Sequence, residues 1–135
     1  MQKYYSAPSD LDPEINFSHD DNIFRITGVS RPENVRATYE PAIKWLSDYK
    51  TELATGYSSI NKDNHLTLQL DLEYFNSSSA IFLYDIVMII RSMKEEGIPA
   101  RINWAFDPAD TDSLEAGEDL SILAEIEFNY IKRQE

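Results

Sequence analysis

The sequence predicts a single α/β domain with helices packed on a mixed sheet, its elements in the order ββαβαβαβ. Three observations carry that expectation. Leu66, Leu68, Leu70, Leu72 and Tyr74 alternate with His65, Thr67, Gln69, Asp71 and Glu73, the period of two that a strand with one buried face requires. Directly after it, the apolar run 80–90 passes into Arg91-Ser92-Met93-Lys94-Glu95-Glu96-Gly97. A polar, basic last turn followed by Gly reads as a helix C-terminus. Strand-like and helix-like stretches then take turns along the chain, which favours parallel pairing through right-handed crossovers.

From the N-terminus, residues 1–13 read as a loose lead-in, since Pro8, Asp10, Asp12 and Pro13 discourage regular structure. Segments 14–17 and 23–27 alternate on either side of His19-Asp20-Asp21-Asn22, a turn composition, so a hairpin adds antiparallel strands to the sheet. After a loop at 28–34, Ile43, Leu46, Tyr49 and Leu53 recur at helical spacing with Trp45 nearby. Pro41 would disrupt a helix interior, so this covering helix is expected to start near Thr38 with Pro41 in its first turn. A polar connection at 55–65 precedes the long strand and the second helix. Residues 99–106 form another strand, apolar at Ala100, Ile102, Trp104 and Phe106, and Asp107-Pro108 ends it. An acidic third helix is expected over 111–123, then a strand at 125–131 with Ile126, Phe128 and Tyr130 on one face. Residues 14–131 make the domain and 132–135 a charged tail.

The composition excludes several function classes. The chain has 135 residues, 42% hydrophobic, enough for one real core. Its 24 acids against 12 bases give a net charge of −12, which repels phosphate backbones and anionic lipid and argues against nucleic-acid partners. Without cysteine there is no thiolate nucleophile or zinc-thiolate site. The N-terminus lacks the apolar core of a signal peptide, and the longest apolar run, broken by Asp85, falls short of the roughly 20 residues of a membrane span. A cytoplasmic protein without membrane contact is expected.

Catalytic and metal motifs are weak. With Asp107 first in a calcium loop, Glu118 falls twelfth, but Ala109, Thr111 and Asp112 occupy the third, fifth and sixth positions, where two ligands and a glycine are needed. His19 and His65 stand outside any motif, and no nucleophile elbow, Walker loop or dinucleotide fingerprint is present. No cofactor, metal or enzymatic activity is therefore expected. A small acidic metal-binding or enzymatic domain stands as an alternative.

The informative stretch is Asn76-Ser77-Ser78-Ser79, where a strand hands over to the amide-rich end of a helix. Serine there reads first as a cap. One cap needs one serine, and the surplus leaves hydroxyls at a place where a phosphate would meet a favourable field. The helix behind is apolar almost all round, so it is buried on both sides or offers a patch to a partner, with Asp85 marking the wet side.

Together with Gly28-Val29-Ser30-Arg31-Pro32-Glu33-Asn34, Tyr39-Glu40-Pro41-Ala42-Ile43-Lys44-Trp45-Leu46, Leu72-Glu73-Tyr74-Phe75, Asp85-Ile86 and Leu114-Glu115-Ala116-Gly117-Glu118-Asp119, this stretch resembles the SiaC-type regulatory phosphoproteins, a STAS-like family related to anti-anti-sigma factors. The resemblance spans about residues 28–123. It implies a STAS-like fold and a partner switch in which a kinase phosphorylates the hydroxyl after the Asn, here Ser77, with Ser78 as second candidate. A metal-dependent serine/threonine phosphatase reverses this, and the unmodified form binds and activates a target such as a diguanylate cyclase. An anti-anti-sigma-like antagonist is the alternative target reading. Asn76, Ser78, Ser79, Ile81, Phe82 and Asp85 are the expected partner contacts.

Overall fold

In the computed structural model, which describes residues 2–55 and 60–133, six strands pair side by side in chain order. β1 (Tyr4–Ser6), β2 (Glu14–Ser18) and β3 (Ile23–Ser30) are antiparallel to one another in turn. β3, β4 (Leu66–Phe75), β5 (Ala100–Phe106) and β6 (Asn129–Lys132) run parallel. Each parallel step is bridged by a helix: α1 (Val35–Leu53), α2 (Ser77–Glu95) and α3 (Thr111–Ala124). Crossovers of one hand, all stepping the same way, put the three helices on one face. α2 lies between the other two and touches both. The expected ββαβαβαβ order and mixed sheet are therefore found from β2 onward.

The central position of α2 explains its composition. Leu83, Ile86, Val87, Ile90 and Met93 are fully buried against Leu66, Leu68 and Ile102 of the sheet. Phe82, Tyr84, Met88 and Ile89 are half-buried on its flanks. Asp85 is exposed, as its place in the pattern suggested. The sheet's other face carries a polar row, Asn16, Arg25, Gln69 and Asn103, in direct register across β2 to β5.

Five expectations need correction. The lead-in is not loose. β1 pairs with β2, Tyr4 packs on Phe17 with ring centroids 6.1 Å apart, and Trp45 Nε1 donates to the Gln2 carbonyl at 2.8 Å. α1 starts earlier than Thr38 because Asn34 caps it, its Oδ1 accepting from the Ala37 amide at 3.1 Å. Pro41 therefore sits inside the helix, on its exposed side. The alternation of β4 breaks at its end: Gly28 faces Leu72 but Val29 faces Tyr74, so Glu73 has no partner on β3 and the pleat changes phase. Tyr74 is turned outward, 53% exposed. Phe75 packs edge-on against Trp104 at 5.8 Å. β6 is shorter than the stretch 125–131. Glu125, at φ 54, ends α3 in a left-handed turn, and Ile126 and Phe128 bury their side chains before the strand begins. Finally, the tail begins inside the fold. Lys132 belongs to β6, and Arg133 donates to Asp71 and to the Leu72 carbonyl. Residues 56–59 of the polar connection, 134–135 of the tail and Met1 lie outside the described residues.

Candidate functional site

The three serines open α2, and the structure divides them. Asn76 is the N-cap, its Oδ1 accepting from the Ser79 amide at 2.8 Å, while its own amide donates to the Ser30 carbonyl at 3.0 Å. Ser79 Oγ donates to that same carbonyl at 3.1 Å and accepts from Ser30 Oγ at 2.8 Å. With the Ser30 proton committed to Ser79, the Tyr39 hydroxyl must be the donor in its bond to Ser30. A one-way chain of hydroxyls thus ties α1 and the end of β3 to the first turn of α2. Ser30, Tyr39 and Ser79 are all completely buried. Burial pushes the Tyr39 phenol up to about 12, outweighing the two serines that lower it. The Tyr39 ring also stacks on Phe82 at 5.8 Å, fixing the next turn of α2.

Ser77 and Ser78 face solvent. They occupy the first two helical positions, where backbone amides have no intrahelical partner. Beside them an apolar groove of about 400 Å³ runs between α2 and α3, walled by Phe75, Ala80, Ile81, Tyr84, Leu120 and Leu123. Two of its walls, Ile81 and Leu123, are large apolar side chains left in water, each more than half exposed. Of the expected partner contacts, Ser78, Ile81 and Asp85 are exposed, while Asn76 and Phe82 are partly covered. Ser79 is the exception: sealed on Ser30, it holds the turn and offers a partner no surface.

Sequence reasoning missed Ser30 and Tyr39, which sit far away in the chain, and the α3 wall of the groove. Leu120 and Leu123, three apart on an acidic helix, were the available signal for the latter. Among the described residues, no group of three or more His, Asp or Glu could hold a metal ion, and no helix is long and apolar enough to cross a membrane. His19 lies 3.8 Å from Asp20 in the β2–β3 turn, and His65 stands at the start of β4, so neither approaches the serines.

This is a two-layer α/β domain presenting two hydroxyls and an apolar groove at one strand–helix junction. Residues 7–133 match the model of the SiaC family of regulatory phosphoproteins, and the chain belongs to that family. Its fold is similar to that of apo-SiaC from Pseudomonas aeruginosa, with a TM-score of 0.77 at 20% identity over 99% of this chain and 100% of that one. It is equally similar to a chain in the complex of the diguanylate cyclase SiaD with its activator SiaC from the same organism, with a TM-score of 0.78 at 20% identity over 96% and 97%. Curated proteins yield no match.

Proposed function

We propose that this protein is a non-enzymatic, cytoplasmic partner-switching regulator whose unmodified form binds and activates a diguanylate cyclase, and whose form phosphorylated on Ser77 is released. The observation that carries the reading is the exposure of Ser77 and Ser78 beside the apolar groove while Ser79 is sealed. A kinase can reach the first two hydroxyls and not the third, and Ser77 directly follows the capping Asn76. A metal-dependent phosphatase reverses the modification.

The physics gives the sign of the switch. Phosphorylation adds a charge of about −1.5 to −2. A partner seated over Ile81 and Leu123 must take that charge out of water, which costs several kcal/mol if it meets no cation. A loss of about 4 kcal/mol weakens binding roughly a thousandfold. The helix-end field, about 0.3–1 kcal/mol, favours the phosphate but is too small to offset that cost. The phosphate therefore blocks docking while leaving the fold intact. Capture of the cyclase by Ser77→Asp and Ser77→Ala variants tests this. Ser77→Ala should retain it and Ser77→Asp should lose it; equal capture by the two removes the switch. Phosphate mapped outside residues 77–78 after treatment with the cognate kinase would overturn the site.

A further inference from the structure

At the other end of α2 a shallow pocket of about 450 Å³ lies where β4, β5 and β6 begin, lined by His65, Lys94, Gly97, Arg101 and Asn129 among others. β4 has 10 residues, so about 33 Å of strand separates this pocket from the serines. Three basic side chains line it and no carboxylate does, in a chain where acids outnumber bases 24 to 12.

Each base is free to meet a ligand, for a different reason. His65 Nδ1 is buried with no hydrogen-bond partner. A sealed acceptor is less costly than a sealed N–H, so the neutral ring carries its proton on Nε2. That nitrogen is not among the buried unpartnered atoms, and among the described residues no partner takes its proton. Arg101 Nε donates to Thr67 Oγ1 at 3.0 Å, which steadies the guanidinium and leaves its terminal nitrogens as an open fork. Lys94 is exposed and, among the described residues, has no ion-pair partner, whereas nearby Arg91 and Lys50 are taken by Glu95 and Glu96. The negative end of the α2 dipole works against an anion here, but the amides of Glu96, Gly97 and Ile98 already cap its last carbonyls.

We propose that this pocket binds a phosphate-bearing small molecule, with His65 Nε2, Lys94 Nζ and the Arg101 fork as donors. Three donors carried on separate elements suit a tetrahedral dianion better than a planar carboxylate. The site is independent of Ser77 and of the switch proposed above. Inorganic phosphate and malonate are the probes, titrated into the full chain at low ionic strength and fixed pH, read by calorimetry and by the imidazole resonances of the two histidines. Phosphate should bind at millimolar concentration or below and move His65 while His19 stays in place. Arg101→Gln and Lys94→Gln, both at exposed positions, should each weaken binding at least tenfold with unchanged melting. Equal movement of both histidines, or unaltered binding by the variants, overturns the site. Tighter binding of malonate than of phosphate overturns the ligand class.

Discussion

Ser77 and Ser79 are the same residue two positions apart in one helical turn, yet the fold treats them as opposites. Ser77 stands in water at the first position of α2, and Ser79 is completely buried in a chain of hydroxyls reaching Tyr39. A helix advances about 100° per residue, so two steps carry a side chain from the outer face to the inner one. Neighbouring hydroxyls can therefore hold separate duties: one available for chemistry, the other anchoring the turn on which that chemistry happens.

The sharpest way to break the contrast is to place the same charge at both positions. Ser79→Asp buries an unpaired carboxylate and should cost about 3–5 kcal/mol, read as a lowered denaturant midpoint. Ser77→Asp puts an acid at a helix N-terminus and should raise stability by about 0.3–1 kcal/mol. Similar effects from the two would mean that Ser79 is not sealed.

Next in size is a pH effect from the anchor. The folded Tyr39 phenol lies at about 12 against an ordinary value of 10.0, so the folded state holds its proton more tightly. Its contribution of about 2–3 kcal/mol is fully present below pH 10 and is lost as pH rises from 10 to 12. Tyr39→Phe should flatten the stability profile across that window while retaining the stack on Phe82. Asn76→Ala removes the cap that serves the Ser79 amide and should cost about 0.5–2 kcal/mol, with faster amide exchange confined to the first turn of α2. Smallest of all is a change at the far end of the helix. Lys50→Ala breaks a largely solvated ion pair with Glu96, 3.0 Å long, and should cost less than about 1 kcal/mol.

Much of this was legible in the chain because it is local. The Asn-Ser-Ser-Ser junction, the apolar α2 and the turn at Gly97 each follow from neighbours a few residues apart. The errors share another cause. The alternation through Tyr74 is unbroken in the sequence, and only pairing with Gly28 and Val29 reveals that Glu73 is skipped. The lead-in looks irregular until Gln2 meets Trp45 and Tyr4 meets Phe17. Pro41 points to a later start of α1, but the cap at Asn34 outweighs one missing amide.

The sequence by itself determined the element order from β2 onward, the strand–helix handover at Asn76 and the surplus of hydroxyls there, because propensity, periodicity and capping act over a single turn or pleat. Which hydroxyl is offered and which is locked away was decided only in three dimensions. Ser30 and Tyr39 reach Ser79 from 49 and 40 residues upstream in the chain, and the α3 wall beside Ile81 comes from beyond β5. Burial is a property of such distant pairs, and no local pattern encodes it.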